Sequence, residues 1–216
     1  MSEPEPEPEP ADAAAAVALD GRALGRRGAQ TRQRLLDATA RLLEDNGLRE
    51  LRVVDIARAV DLAPATFYQY FRDVEEAVLA LSAAVGEETT SLSGLIAEPW
   101  SGPDGLVVVR RLVEDFIANW DDHRAVLRTR NLAAQEGDLR FRAVRNEALR
   151  PLTEGIAAKV AAQGEPGVAP YAAAAAMVSM LERMAAFHTD LEAYGTSRAD
   201  VVETTARILH RTATGG

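Results

Sequence analysis

The side chains best equipped for chemistry in this 216-residue chain form one short run: Pro64, Ala65, Thr66, Phe67, Tyr68, Gln69, Tyr70 and Phe71. Their chemistry is hydrogen-bond recognition. The Gln69 amide can pair bidentately with adenine, and tyrosine hydroxyls can donate to phosphate oxygens without reading sequence. Phe67 and Phe71 stand four apart, share a helix face, and are expected in a core. Pro64, Ala65, Tyr68 and Gln69 fall on the other side, with Thr66 and Tyr70 on the flanks. Aromatics at helical spacing are more often core than contact surface. Three consecutive side chains nevertheless sweep most of a helix circumference, so at least one of residues 68–70 must meet solvent.

No comparable set supports catalysis. The chain has no cysteine, which excludes disulfides and a cysteine nucleophile. His123, His188 and His210 are far apart in sequence, so neither a metal nor a cofactor is expected. No phosphate loop, dinucleotide glycine pattern, G-x-S-x-G elbow or H-E-x-x-H occurs. Ser91 and Ser93 lack a histidine in helical register. Adjacent acids such as Glu87-Glu88, Glu114-Asp115 and Asp121-Asp122 diverge around a helix and read as solvated faces. No apolar run reaches the roughly 20 residues of a membrane span, and the acidic, proline-rich start is unlike a signal peptide. A cytoplasmic protein is expected.

Charge is unevenly placed. The net charge is −9, but residues 1–20 carry six acids and no base, whereas residues 21–74 hold ten arginines against seven acids. Arg22, Arg26, Arg27, Arg32 and Arg34 all precede the first acid of that segment, Asp37. Such an arm would give sequence-independent, salt-sensitive affinity for phosphates; a solvated basic helix end is the plainer reading.

The elements that would position these residues are all helical. Residues 1–24 read as a disordered acidic Pro/Ala-rich tail. A first helix spans about 31–46, with Leu35, Ala38, Leu42 and Leu43 on one face. A second covers about 53–60, and a break at Asp61-Leu62-Ala63 leads to a third that opens on Pro64, a residue suited to a first turn, and ends at Tyr70 or Phe71. Asp73 and Glu76 form a capping box for a fourth. Five more are expected at about 103–121, 123–134, 138–163, 169–194 and 197–212. The fold class is therefore all-α with about nine helices. Residues 25–80 form a three-helix domain containing a helix-turn-helix, and residues 81–214 a second helical domain.

From Thr31 to Leu79, the helix order and the run Asp55-Ile56-Ala57 … Ala65-Thr66-Phe67-Tyr68-Gln69-Tyr70-Phe71 … Glu75-Glu76 resemble the DNA-binding domain of the tetracycline-repressor (TetR) family. The resemblance covers about a quarter of the folded chain. It implies a homodimeric transcription regulator, commonly a repressor, that leaves a palindromic operator in double-stranded DNA when a small molecule occupies the C-terminal domain. It also implies that Pro64, Ala65 and Gln69 face bases while Thr66, Tyr68 and Tyr70 hold the backbone. Several positions depart from the family pattern. Arg52 stands where a hydroxyl cap is usual, Asp61 at the customary turn glycine, Ala63 at the serine cap, and Val74 at a phosphate-gripping lysine. Arg52 and Arg72 are expected to compensate, joining Arg26 and Arg27 on DNA.

In the second domain, Met177, Met180, Leu181, Met184, Phe187 and His188 make one helical stripe, better suited to core packing at most positions. The resemblance implies that some of Phe116, Trp120, Met180, Met184, Phe187 and His188 line a cavity for a small hydrophobic effector, with His188 as a polar handle. The last two helices are apolar on more than one side: Ala172 to Ala176, Val178, Ala185 and Ala186 in one, Val201, Val202, Ala206, Ile208 and Leu209 in the other. Small alanines permit close approach, so these helices are expected to form a homodimer. The alternative function is a helical small-molecule-binding or adaptor protein with a degenerate helix-turn-helix.

Overall fold

The computed structural model describes residues 23–215, so the acidic repeat and Arg22 lie outside the described residues. Within them the chain forms ten α-helices, one 3₁₀ segment and no strand. No helix there is long and apolar enough to cross a membrane. The N-terminal unit is α1 (Arg26–Asp45), α2 (Val53–Arg58) and α3 (Pro64–Phe67). Leu35, Leu36, Ala38 and Leu43 of α1, Ile56 of α2 and Phe67 close one core, continued by Phe71 and by Val74, Ala77 and Val78 of α4 (Val74–Ser91). The α1 helix begins at Arg26, five residues before the expected start at about residue 31 and well ahead of its apolar stripe. Backbone hydrogen bonding needs no burial, and nothing in Arg26–Gln30 stops the helix.

The turn between α2 and α3 has a defined stop. Leu62 N–H bonds to the Ala57 carbonyl at 2.9 Å and Asp61 N–H to that of Arg58 at 3.1 Å. This Schellman pairing puts Asp61 in the left-handed region, φ 55°. Two further helices end the same way on Gly137 and Gly195, at φ 102° and 73°. Asp61 is the one non-glycine residue with positive φ among the described residues.

The α3 helix is shorter than expected. It is regular only to Phe67, and the Gln69 and Tyr70 N–H groups then reach back three residues, tightening the turn. The expected capping box of α4 is half formed. The Asp73 side chain accepts from Glu76 N–H at 2.8 Å, but the Glu76 carboxylate is taken by Arg72 N–H at 2.6 Å.

The remaining helices are α5 (Ser93–Ala97), α6 (Gly105–Asp122), α7 (Arg124–Gln135), α8 (Leu139–Gln163), α9 (Pro170–Phe187) and α10 (Arg198–Thr214). The short α5 is the element the sequence pattern did not announce, being less than two turns long. The α8 helix is the spine, packing on α4, α5, α7, α9 and α10. Gly86 of α4 lies so close to α8 that a Cβ there would stand 3.0 Å from that of Ala148. At the start of α6 a Cβ on Gly105 would meet the Trp100 carbonyl at 1.7 Å, and the same carbonyl is 2.8 Å from His210 Nε2 of α10.

The expected helix at 169–194 is not continuous. It stops at Phe187 and the chain runs on as a 3₁₀ segment, His188–Tyr194. Arg124 Nη1 donates to the Ala186 carbonyl at 2.7 Å while His188 turns toward Asp121. The Arg124 bond satisfies one of the carbonyls left free at the helix end.

Candidate nucleic-acid interface and effector site

The segment after Ala63 divides as its spacing requires. Phe67 and Phe71 are fully buried, their rings 5.4 Å apart, while Pro64, Ala65, Tyr68 and Gln69 are exposed. Tyr68 keeps 52% of its surface in solvent, and Thr66 and Tyr70 are half-buried. A helix start bearing only a proline ring and a methyl leaves the backbone open to close approach. The arrangement can admit a base edge to Gln69 and a phosphate to Tyr68.

The basic arm is not one functional unit. Arg32 lies over the Phe71 ring at 5.1 Å, and burial lowers its pKa despite the attraction of Glu76. Arg34 Nη2 donates to the Val60 carbonyl at 2.6 Å, tying α1 to the end of α2. Both are framework residues. Arg26 and Arg27 stay exposed on the first turn of α1, so the expected arm is a helical end carrying two free-facing arginines.

Arg52 and Arg72 are also exposed, but each meets an acid. Arg52 Nε bonds Asp55 at 2.7 Å, and this hydrogen bond holds the Asp55 carboxyl below its ordinary range. Arg72 Nε approaches Glu76 at 3.2 Å. Partial burial works against the Glu76 anion, but the Arg72 N–H and guanidinium outweigh it and lower its pKa. Val74, at the position of the family's lysine, is buried in the core.

The six residues expected at an effector cavity are scattered in environment. Phe116 and Trp120 are buried in α6, Met180 and Met184 are half-buried, and Phe187 is 41% exposed with the Arg183 guanidinium 3.7 Å above its ring. His188 is buried, its Nε2 2.9 Å from Asp121 Oδ1 and its Nδ1 without a hydrogen-bond partner. Burial opposes ionisation of Asp121, but hydrogen bonds from His188 and Arg124 prevail and lower its pKa. Neither described groove touches any of the six. One, about 450 Å³, lies between α5 and α8 along Ile96, Pro151, Gly155 and Ala158. The other, about 390 Å³, lies between α8 and α9 and includes Arg145, Leu149, Tyr171 and Val178.

Much of the apolar excess of the last two helices is used inside the protomer. Ala174, Val178, Ala185, Val201, Val202, Ala206 and Leu209 are buried. Ala172, Ala175, Ala176 and Ser179 of α9 and Ile208 of α10 remain exposed.

Sequence reasoning missed a buried ionic network. Arg130 of α7 is 2% exposed and Glu182 of α9 7%. Arg145 of α8 pairs with the Glu182 carboxylate through both Nε and Nη2, and Asn131 Nδ2 donates to it at 3.3 Å. Burial brings the Arg130 pKa down to about 10. The signal was present: Glu182 follows Leu181 by one residue and Val178 by four, an acid in an apolar sector.

The family model described as "Tetracyclin repressor-like, C-terminal domain" matches residues 92–216, and that described as "Bacterial regulatory proteins, tetR family" matches residues 35–81. No curated protein matches the chain in sequence. Among solved structures, the fatty acid degradation regulator FadR of Bacillus halodurans superposes with a TM-score of 0.67 at 16% identity, covering 87% of this chain and 96% of that one. FadR of Bacillus subtilis, in complex with stearoyl-CoA, gives 0.63 at 16% identity, covering 85% and 98%. The Thermus thermophilus repressor FadR, in complex with lauroyl-CoA, gives 0.51 at 22% identity, covering 84% and 94%. At these identities the likeness is one of fold.

Proposed function

Because the chain belongs to the tetracycline-repressor family, we propose that it is a DNA-binding transcriptional regulator, a homodimeric repressor that a small amphiphilic effector releases from a palindromic operator. The observation that carries this reading is the division of residues 64–71, with Phe67 and Phe71 buried and Pro64, Ala65, Tyr68 and Gln69 turned outward. In this reading residues 25–80 are the DNA-binding unit and residues 81–214 the effector and dimer unit. Pro64, Ala65 and Gln69 face bases. Thr66, Tyr68 and Tyr70 hold the backbone with Arg26, Arg27, Arg52 and Arg72.

Exposed Ala172 and Ala176 of α9, with Ile208 of α10, support pairing of two copies through the last two helices. Pairing sets two recognition helices roughly 34 Å apart, the spacing of successive major grooves on one side of a duplex. The acyl-CoA ligands named for two of the similar structures support an effector with a long apolar part. Phe116, Trp120, Met180, Met184, Phe187 and His188 stay candidates for its contacts, with His188 Nδ1 free to take a hydrogen bond.

Genomic footprinting with the purified chain tests the reading. Protection of a palindrome is expected, and Gln69→Ala should relax preference at one base pair per half-site by about 1–3 kcal/mol. One observation favours the adaptor alternative: Arg52 and Arg72 are each engaged by an acid, and Val74 is buried. Absence of any salt-sensitive DNA binding at low ionic strength would establish that alternative instead.

A further inference from the structure

The buried network on α7, α8 and α9 has more cation than it needs. Its three charged members are graded in depth: the Arg145 side chain is 30% exposed, Glu182 8% and Arg130 2%. Arg145 and Asn131 supply every hydrogen bond that the Glu182 carboxylate accepts. Arg130 is left with one hydrogen bond, from Nε to Asn131 Oδ1 at 3.1 Å. Its Nη2 stands 3.8 Å from Glu182 Oε1, beyond hydrogen-bond reach. Two guanidiniums therefore face one carboxylate, and the terminal nitrogens of the deeper one make no hydrogen bond within the protein, though they are not sealed from solvent. A charge this deep is held better by an acceptor of opposite sign than by a trace of solvent.

We propose that Arg130 and Arg145 form a receiving site for an oxyanion, the head group of an amphiphilic effector whose apolar part lies in the groove between α8 and α9. Arg145, the outermost member of the network, stands in the wall of that groove, where Leu149, Tyr171, Ala175 and Val178 give apolar surface beside the polar Asn146, Arg150, Thr153, Glu154 and Ser179. A carboxylate or phosphate oxygen there would accept from the unused nitrogens of both arginines and neutralise the surplus charge. This inference deepens the proposed function by naming the effector chemistry. It also relocates recognition: Glu182 and Met180 lie about 160° apart around α9, so the network is on the far side from the methionine flank. The α7 helix that carries Arg130 packs against both α1 and α4, and Arg49 bridges to Glu136 at its end at 2.9 Å. Binding at Arg130 thus loads the element that supports the DNA-binding unit.

The test uses the full chain without DNA and three probes of one chain length: decanoate, decyl phosphate and decanol. Calorimetric titration and thermal melting are expected to show both anions binding and raising Tm, with decanol at least about tenfold weaker. Arg130→Met leaves the Glu182–Arg145 pair intact and is expected to abolish the preference for anions. Glu182→Gln removes the competing acid and is expected to tighten decanoate binding, by about threefold or more. A merely structural network would respond to that change with lost stability and no gain in affinity. Equal binding of decanol and decanoate, binding of no probe, or an anion preference that survives Arg130→Met each overturns the proposal. If Arg130→Met does not fold, weaker or unchanged decanoate binding by Glu182→Gln overturns it alone. Preference for one anion over the other distinguishes a carboxylate from a phosphate head. A parallel gel shift without probe separates the two readings: anion binding by a protein that binds no DNA would retain the site and remove the regulator.

Discussion

At Asp61 the backbone takes a φ of 55° to close the Schellman stop of α2, where the two comparable stops use glycine. A side chain in this region costs about 1–2 kcal/mol, at the lower end for Asp, while glycine costs about 0.5–1 kcal/mol in unfolded-state entropy. The two nearly offset, so Asp61→Gly should stabilise the chain by about 0.5 kcal/mol. Asp61→Val, β-branched, should destabilise it by about 2 kcal/mol. Urea denaturation checks the order Gly, Asp, Val. A second residue-scale case is Asp138, which caps α8 by accepting from Arg140 N–H at 2.8 Å. Its carboxyl is held down to about 2, first by the Arg140 side chain. The folded value lies below the unfolded one, so this stabilisation is complete above the unfolded pKa and is lost as pH falls from about 4 toward about 2. Asp138→Asn should flatten stability across that window, read as a smaller change in urea midpoint between pH 5 and pH 2 than in the parent chain.

At the scale of elements, α1 does two jobs with one run of arginines. Arg32 and Arg34 hold the helix to Phe71 and to the end of α2, while Arg26 and Arg27 face solvent. Replacing Arg26 and Arg27 together by alanine should weaken binding to every duplex alike and flatten the slope of log affinity against log salt by up to about 2 per protomer. Thermal stability should hardly move, since neither side chain packs. Arg34→Ala should instead lower stability without touching the slope. Titrating a specific and a random duplex at several salt concentrations reads both effects.

For the whole molecule, the charge imbalance has a consequence of its own. Deleting residues 1–20 removes six acids and no base, taking the net charge from −9 to −3. Long-range repulsion from a polyanion falls with it, so affinity for a non-operator duplex should rise severalfold at low salt. The gain should vanish near 1 M salt, where the Debye length is about 3 Å. Fluorescence anisotropy with a labelled random duplex measures it. A gain that persists at high salt would mean that the segment acts by something other than charge.

Local pattern by itself determined the helical fold and the inward turn of Phe67 and Phe71. Both follow from a 3.6-residue period that any core must respect. The same period placed Pro64, Ala65, Tyr68 and Gln69 outside, and the break at Asp61 came from the residues that surround it. Other features depended on groups distant along the chain. At the end of α9 the Ala186 carbonyl is capped by Arg124, 62 residues earlier. Arg34 is a framework residue because Val60 comes within reach of it. The expected effector residues did not converge on either described groove, because helical spacing gives a face but not the neighbour that face meets. The Arg130–Glu182–Arg145 network joins three helices. Partners on separate helices have no fixed spacing in sequence, so only the packing of α7, α8 and α9 could bring those charges together.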